Sequence, residues 1–327
     1  MAEYGPKIAE IYALRERLGD QVFRTPVLQC PAIEEKTGGK TTVFAKLEFL
    51  QRTGTFKARG ALATLHGLSA EERMRGVTAV SAGNHAIAVA FAAATVGTTA
   101  KVVMTRSANP FRVAACAAYG AEVVLADDVH LAFALAEEIR DKEGRYFIHP
   151  FEGPSIALGT GTMGVEICEQ IPEFDAIVIP VGGGGLIGGI ANAVRQMRPD
   201  AEIIGVEPVG ADSMHRSFAS GTPQGIEKVA TIADSLGAPF ALPYSFELTR
   251  QNVDRLVTVD DDQLRKCMGF LFRSMKIAVE PACVATTAAL LGPLRESMRG
   301  RRAVLVMCGS NIDWQTFVQQ AVFEDVA

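Results

Sequence analysis

The sequence has 327 residues, 48% of them apolar, and a formal net charge of −5, which allows one large hydrophobic core or two smaller ones and favours two. Its basic residues are scattered and no apolar segment is long enough to cross a bilayer, so it predicts neither a nucleic-acid nor a membrane partner and favours small-molecule chemistry. The six cysteines lie far apart without a CxxC pair, which indicates reduced thiols in the cytoplasm and argues against zinc.

The predicted elements begin with an amphipathic helix, because Ile8, Ile11, Leu14 and Leu18 recur at steps of three and four residues. Strand-like runs then alternate with helical ones, at 43–47, 77–81, 100–104, 122–126, 146–149, 176–181, 202–206 and 303–307. This alternation predicts an α/β fold with parallel sheets covered by helices on both faces. We expect helices at 86–95, 110–119, 131–142 and 261–275.

The series of strands and helices between residues 76 and 151 is complete in itself, so we interpret it as an inserted small α/β domain. The flanking segments, 1–75 and 152–327, are then expected to form a larger domain together.

Segment 46–61, KLEFLQRTGTFKARGA, places Lys57 in the first turn of a helix that starts near Phe56. The helix dipole disfavours a second cation there, and partial burial adds to this effect, so the pKa of the amine is expected to fall. A neutral lysine is the nucleophile that forms a Schiff base with an aldehyde cofactor. Taken alone, an ordinary solvated lysine is the more common alternative.

A second loop, Ser81-Ala82-Gly83-Asn84-His85, lies where a strand ends and a helix begins. Backbone N–H groups at the start of a helix bind anions, and the small residues let an anion approach, so a carboxylate can bind here. The alternative is an ordinary strand-to-helix connection in which His85 only caps or packs.

A third loop, the run Gly182-Gly183-Gly184-Gly185, follows a strand and precedes a helix. Its N–H groups are unobstructed by side chains and predict a phosphate site. A flexible glycine loop is disfavoured because such a run costs backbone entropy. At the end of the strand at 303–307, Cys308 or Ser310 is expected to face a ligand, although either could merely cap the next helix. Together the loops suit an aldehyde cofactor with a phosphate and a heterocycle.

These motifs resemble the fold type II pyridoxal phosphate enzymes, and within them the threonine/serine dehydratase and serine racemase family, over nearly the whole chain. The family motif KLExxQxTGSFKxRGA stands here as KLEFLQRTGTFKARGA. The resemblance implies a tryptophan synthase β-like fold, a homodimer, and Lys57 as the catalytic lysine. It also implies a pyridoxal phosphate-dependent dehydratase, or ammonia-lyase, that converts a 3-hydroxy amino acid such as L-threonine or L-serine into a 2-oxo acid and ammonia.

By the same resemblance, two sets of residues form the site. The cofactor-binding residues are expected to be Phe56, Lys57, Asn84, Gly182, Gly183, Gly184, Gly185, Gly237, Glu280 and Cys308. The substrate carboxylate is expected to bind Ser81, Ala82, Gly83, Asn84 and His85. Cys308 takes the position of a serine that faces the pyridine nitrogen, and a thiol is a weak partner there, which favours elimination over transamination.

Three departures from the family motifs refine these expectations. Ala82 stands where the racemases have a serine that acts as a second base, so racemase activity should be weak. A divalent-cation site at Glu207, Ala211 and Ser213 has serine in an acidic position, so any metal binding should be weak. Segment 158–162 reads LGTGT in place of AGQGT, which leaves the substrate side of the pocket open.

Three alternatives remain at this stage. The enzyme could be a serine racemase, or a dehydratase specialised for 3-hydroxyaspartate or 3-phenylserine. In a different class, the chain could be a module that binds a nucleotide on the glycine loop, with Lys57 incidental and no visible chromophore. The chain ends soon after the CGSN motif, which leaves no room for the regulatory domain appended to biosynthetic threonine dehydratases.

Overall fold

The computed structural model describes residues 4–323. The strands are β1 (Val27–Gln29), β2 (Thr42–Leu47), β3 (Val77–Val80), β4 (Ala100–Thr105), β5 (Glu122–Ala126), β6 (Tyr146–Phe147), β7 (Ala176–Pro180), β8 (Glu202–Pro208), β9 (Arg255–Val259) and β10 (Arg302–Met307). The helices are α1 (Ile8–Leu18), α2 (Pro31–Lys36), α3 (Lys57–Gly67), α4 (Ala70–Arg75), α5 (Asn84–Val96), α6 (Pro110–Ala118), α7 (Val129–Glu143), α8 (Pro154–Gln170), α9 (Gly185–Met197), α10 (Ser213–Ser220), α11 (Pro243–Asn252), α12 (Asp261–Met275), α13 (Pro281–Leu291) and α14 (Trp314–Gln320). Short 3₁₀ turns lie at Gly19–Gln21, Glu48–Leu50, Val209–Ala211 and Asp234–Leu236.

The larger sheet has six strands in the order β1-β2-β10-β7-β8-β9, and β1 alone is antiparallel to its neighbour. Strand β7 is buried along its whole length, as expected for a strand with helices on both faces of its sheet. Strand β10 lies at the centre, between β2 and β7. The carboxyl ends of these three parallel strands therefore meet at one edge, where ligands of such sheets bind.

The smaller sheet has four parallel strands in the order β5-β4-β3-β6, all from the segment between residues 77 and 147. Its core also takes in side chains from outside that segment, among them Leu14 and Leu18 of α1 and Leu62 and Leu65 of α3. Helix α3 thus packs both on this core and on α8 beside the larger sheet. The limits 76 and 151 of an inserted domain stay a prediction.

The predicted α/β fold with parallel sheets is confirmed, and each predicted strand is present with ends that differ by at most two residues. Two strands differ by two residues: β6 ends at Phe147 because only Tyr146 and Phe147 pair with β3, and β8 continues to Pro208. Two strands were not predicted. Strand β1 has only three residues, and β9 is a half-buried edge strand, so neither carries a strong alternating pattern.

Four charged side chains are buried together beneath α3, and we call Lys46, Glu48, Arg59 and Glu166 the buried ion cluster. Arg59 Nε lies 2.6 Å from Glu48 Oε1, and its Nη1 lies 2.7 Å from Glu166 Oε1. Lys46 Nζ lies 2.6 Å from Glu166 Oε2 and also donates to the Thr25 carbonyl. Two cations and two carboxylates therefore balance, and all are almost completely buried. Because buried charges are tolerated only when paired, this cluster fixes α3 against α8.

The backbone contact between α3 and α8 depends on a glycine. A Cβ on Gly159 would lie 2.4 Å from the Arg59 carbonyl oxygen, so no side chain fits there. Thr160 donates its hydroxyl to the Gly185 carbonyl at 2.8 Å, and Thr162 lies 3.0 Å from Arg59 Nη1. Segment 158–162 therefore packs helices together. It does not line the cleft at Lys57.

In the described range 4–323, no helix is long and apolar enough to cross a membrane.

Candidate active site

Lys57 is the first residue of α3, as predicted, and the turn before it is attached to the end of β10. The Phe56 N–H donates to the Cys308 carbonyl at 3.2 Å, and Thr55 forms a β-bridge with Gly309. No acidic residue lies in the first turn of α3, so nothing there offsets the positive end of the helix dipole. The sequence thus places the amine at the edge where β2 and β10 end.

The Lys57 amine is surrounded by few partners. Its Nζ donates to the Pro150 carbonyl at 2.5 Å and lies 5.0 Å from the centre of the Phe56 ring. Burial lowers the pKa of Lys57 to about 8, against the opposing influence of Cys308 and Glu280. About a tenth of the amine is therefore unprotonated at pH 7, far more than for an ordinary lysine, and the unprotonated form is the one that a nucleophile or general base requires.

The amine opens into a cleft of about 290 Å³. Of the residues predicted from the sequence, the cleft is lined by Lys57, Ser81, Ala82, Gly83, Asn84, His85, Gly183 and Gly237. The lining also includes residues that the sequence did not indicate, among them Phe133, His149, Pro150, Phe151, Arg112, Asp234, Ser235 and Phe240. A smaller cavity beside it is lined by Phe56, Cys308 and the run from Gly182 to Gly185. The structure thus brings the predicted site together.

The glycine loop offers donors without acceptors. It joins β7 to α9, and Gly184 has φ = +92°, a conformation that side chains strongly disfavour. Gly183 and Gly184 are buried, yet within residues 4–323 their N–H groups have no hydrogen-bond acceptor in the protein. Buried N–H groups are almost always paired, so these two fit an anion such as a phosphate at the start of α9.

The Phe151 ring lies directly over this loop. A Cβ on Gly183 would come within 2.3 Å of the ring carbons, and the adjoining cavity measures only about 20 Å³, close to the volume of one water molecule. The donors suit the phosphate of pyridoxal phosphate, and because the Phe151 ring occupies the adjoining space, binding a phosphate here requires that ring to move.

Asn84 connects the loop Ser81 to His85 with residues beside the larger sheet. Its Nδ2 donates to the Glu280 carboxylate at 2.8 Å and to Ser235 Oγ at 3.1 Å, while its Oδ1 accepts from Asn311 Nδ2 at 2.7 Å. Burial raises the pKa of Glu280 to about 7, with Asp234 adding to the rise and Arg112 opposing it. The amide and the carboxyl group therefore form one polar unit beside the lysine.

The two histidines of the cleft are neutral. His85 donates Nε2–H to the Ile148 carbonyl at 2.8 Å, and His149 accepts the Glu152 N–H at Nδ1, 3.0 Å away. Burial, with the Lys57 cation adding to the effect, lowers the pKa of His85 to about 3 and that of His149 to about 4. His85 thus fixes the segment after β6, which agrees with the packing role considered as its alternative.

Arg112 reaches from α6 to the large-sheet side of the cleft. Its Nη1 lies 2.6 Å from Asp234 Oδ2, and its Nη2 donates to the Asn311 carbonyl at 3.0 Å. The guanidinium also lies behind Gly83, where an added Cβ would be 2.9 Å away. A larger cleft of about 490 Å³ lies beyond Arg112 and is not lined by Lys57. Arg112 therefore separates the two cavities with its charge already paired.

Cys308 lies at the end of β10, at the position predicted to face the pyridine ring. A hydrogen bond with the Cys283 thiol and burial both raise the pKa of Cys308 well above its usual value. The thiol is thus neutral and buried. This environment fits a weak partner for a heterocyclic nitrogen and would not keep that nitrogen protonated.

The residues of the possible cation site lie away from both cavities. The Glu207 carboxylate accepts the N–H groups of Met214 at 2.9 Å and His215 at 2.7 Å, at the start of α10. Ser213 donates to the Ala238 carbonyl, and Asp212 pairs with Arg216 at 2.8 Å. Among residues 4–323, no group of three or more His, Cys, Asp or Glu is arranged to hold a metal. Glu207 thus stabilises the start of α10.

Comparison with known proteins agrees with this geometry. Residues 18–309 match the model of the family described as pyridoxal-phosphate dependent enzyme. The chain is 50% identical over 314 residues to phenylserine dehydratase of Ralstonia pickettii, covering 96% of each chain. It is 37% identical to L-threonine ammonia-lyase of Thermotoga maritima, covering 94% of this chain and 76% of that protein. The structure of maize serine racemase superposes with a TM-score of 0.92 at 32% identity, covering 97% of each chain.

Proposed function

This chain belongs to the family of pyridoxal-phosphate dependent enzymes. We propose that it dehydrates 3-hydroxy amino acids in the cleft around Lys57, and that 3-phenylserine is its preferred substrate. The enzyme is a pyridoxal phosphate-dependent ammonia-lyase, and it releases a 2-oxo acid and ammonia. The observation that carries the assignment is the Lys57 amine, with a pKa lowered to about 8, beside a glycine loop with unpaired buried N–H groups. The similarity to phenylserine dehydratase supports the choice of substrate.

The cofactor would be held by residues of the glycine loop, of α3 and of the end of β10. Gly183 and Gly184 would bind the phosphate, Lys57 would bind the aldehyde carbon, and Cys308 would lie at the ring nitrogen. When bound, pyridoxal phosphate supplies an electron-withdrawing ring that makes the Cα proton of an attached amino acid acidic. The remaining chemistry falls to side chains and backbone groups of this chain.

Lys57 is the base of the proposed reaction. Its unprotonated Nζ takes the proton from Cα, and the 3-hydroxyl group leaves from Cβ, so that water is lost overall. The unsaturated product then takes up water and divides into a 2-oxo acid and ammonia. The N–H groups at the start of α5, behind Ser81 to His85, hold the substrate carboxylate and fix the Cα–H bond toward the lysine.

A racemase is the second candidate, since serine racemases are among the similar structures. A racemase needs a second acid or base on the face opposite the lysine. Ala82, which lines the cleft, has no proton to give. We therefore expect slow racemisation, and rapid conversion of L-serine into D-serine by the purified enzyme would overturn this part of the proposal.

We also propose a cytoplasmic homodimer. All six cysteines are free and buried, which supports a reducing compartment. The side chains of Trp314, Val318 and Phe323 are exposed near one another on and after α14, and such a patch supports a surface covered by a second copy. A mass in light scattering equal to that of one chain would refute the dimer.

The deciding experiment is an absorption spectrum of the purified protein with pyridoxal phosphate, alongside Lys57→Ala, combined with a 2-oxo acid assay. The substrates are 3-phenylserine, L-threonine, L-serine and 3-hydroxyaspartate. We expect a visible band that requires Lys57 and the fastest oxo-acid formation from 3-phenylserine. A colourless wild-type protein under cofactor-saturating conditions would refute the cofactor site, and a coloured protein without oxo acid from any substrate would refute the reaction.

A further inference from the structure

Two partly exposed phenylalanines from different elements line the cleft. Phe133 lies on α7 beside the smaller sheet, and Phe240 lies on the loop that follows the 3₁₀ turn Asp234–Leu236. Each ring is 38% exposed, although neither belongs to a hydrophobic core cluster of the described residues. Large apolar side chains that are exposed at a concave site commonly mark the place where an apolar ligand group binds.

Phe240 is held in place by its surroundings. Its segment is fixed by a β-bridge between Gly225 and Phe240 and by the bond from the Ile226 N–H to the Pro239 carbonyl, 2.8 Å long. Its ring centre lies 6.4 Å from that of Phe151, which in turn makes an edge contact with His149 at 4.6 Å. The backbone contacts that fix Phe240 do not involve Phe151, and aromatic rings favour the edge and tilted contacts made along this row.

Phe133 is fixed from the other side. Its neighbour on α7, Ala132, is buried together with Ala136 against Val80 and Val103 of the smaller sheet. Helix α7 therefore cannot rotate to bury the Phe133 ring, which remains directed to the cleft. Phe133 and Phe240 thus reach the same cleft from α7 and from the loop after Asp234–Leu236, so an aryl group bound in the cleft is offered apolar surface by both elements.

The charges of the cleft disfavour the competing class of substrate. A 3-hydroxyaspartate would bring a second carboxylate, which requires a free cation. Of the described lining residues, Lys57 and Arg112 are the cations, and Arg112 is already paired with Asp234 at 2.6 Å. His85 and His149 are neutral at physiological pH because burial lowers their pKa values to about 3 and about 4. An uncharged aromatic side chain meets no such difficulty.

We propose that Phe133 and Phe240 are the specificity-determining residues of this enzyme, and that they bind the aryl group on Cβ of a 3-aryl-3-hydroxy amino acid between them. This inference rests on the proposed dehydratase function and adds which side chains select the substrate. The rings leave the proton transfer by Lys57 untouched and act on the binding of the aryl group in the ground state and the transition state.

The test compares wild-type holoenzyme with Phe240→Ala, Phe133→Ala and the conservative Phe240→Tyr. We expect each alanine variant to lower kcat/KM for 3-phenylserine by about 10-fold or more while changing kcat/KM for L-threonine by less than about 3-fold, since only the former substrate reaches the rings. Phe240→Tyr should restore most of the activity toward 3-phenylserine. Phe111→Ala removes another exposed phenylalanine, outside the lining of this cleft, and should change neither value.

A binding measurement separates this inference from the reaction itself. L-Phenylalanine carries an aryl group on Cβ but no leaving hydroxyl group, and L-2-aminobutyrate is its methyl counterpart. We expect the wild-type holoenzyme to bind L-phenylalanine more tightly, and Phe240→Ala to weaken that binding by about 10-fold without changing the binding of L-2-aminobutyrate. If both alanine variants keep the ratio of the two substrates and of the two ligands, the inference is wrong even where dehydration of L-threonine confirms the reaction.

Discussion

Two lysines of this protein stand in opposite surroundings although both are removed from bulk water. Lys46, in the buried ion cluster, has a carboxylate oxygen, an amide oxygen and a carbonyl oxygen within 3 Å of its Nζ. Lys57, at the start of α3, has a single hydrogen-bond acceptor among the described residues, the carbonyl oxygen of Pro150. Burial lowers the pKa of each, and at Lys46 the carboxylates of Glu166 and Glu48 oppose that effect. The lysine of the buried ion cluster is paired with carboxylates, whereas the lysine proposed to be catalytic has no carboxylate within hydrogen-bond distance among residues 4–323.

Helix α3 therefore lies between two different environments. Its Arg59 side chain is held by the ion pairs of the buried ion cluster, whereas the cleft at Lys57 contains hydrogen-bonding groups that have no partner among residues 4–323. Arg59 is completely buried and reaches both carboxylates of the cluster. On the cleft side, the N–H groups of Gly183 and Gly184 have no acceptor among residues 4–323, and Phe133 and Phe240 are partly exposed. Strong internal pairing on one side of the helix allows unpaired groups on the other, because α3 does not need the cleft contacts to stay in place.

The sharpest test of the comparison replaces each lysine by methionine. Lys57→Met should lower 2-oxo acid formation by about 10⁴-fold or more, because the base and the attachment point are both lost, while the denaturation midpoint is unchanged or raised. Lys46→Met is the matched variant and should lower the free energy of unfolding while each folded molecule keeps its kcat. Loss of stability in Lys57→Met, with full activity, would contradict the assignment of the two roles.

Breaking the buried ion cluster is expected to have the next largest effect. Arg59→Met leaves Glu48 and Glu166 buried with one cation instead of two, which should cost about 3 to 5 kcal/mol of unfolding free energy. Urea denaturation monitored by circular dichroism measures this change. Arg140→Met, which breaks the exposed pair with Asp141, is the control and should leave the midpoint unchanged. Equal midpoints for the two variants would show that the cluster does not hold α3.

A smaller effect is expected from the neutral histidine of the cleft. The folded pKa of His149, about 4, lies below its unfolded value of about 6.5, so its contribution to stability is present above about pH 6.5 and is lost as pH falls toward 4. The stability difference between wild type and His149→Gln should fall by about 1.4 kcal/mol per pH unit in that window. Denaturation at pH 7, 6 and 5 measures it, with the exposed His130→Gln as baseline. If the stability difference between wild type and His149→Gln does not vary with pH, the lowered pKa of His149 in the folded protein is wrong.

Much of the site could be predicted from the sequence, because Lys57 and the glycine run are unusual residues at unusual positions. A lysine in the first turn of a helix and consecutive glycines after a strand each require an explanation, and chemistry supplies one. The parallel sheets were predictable for a similar reason, since long apolar runs such as that of β7 are seldom anything but strands.

The remaining lining residues could not be predicted because their types are ordinary and their segments are distant in sequence. Phe133 and Phe240 lie on separate elements that only the fold brings together, and Arg112 pairs with a residue more than 100 positions away. A signal existed for His149 to Phe151, because they follow β6 at the carboxyl edge of the smaller sheet, where ligands collect. The role of His85 depends on its hydrogen-bond acceptor, and only the folded structure shows that this acceptor is the Ile148 carbonyl.

The central position of β10 has a consequence for how the enzyme comes to exist. During synthesis on the ribosome, β2 and β7 emerge long before the strand that pairs with both of them, so an early chain leaves two strand edges exposed and unpaired. Non-local pairing of this kind slows folding and invites aggregation. Because Cys308 and the bridge between Thr55 and Gly309 arrive with β10, we expect the proposed lysine site to be completed only when β10 joins the sheet.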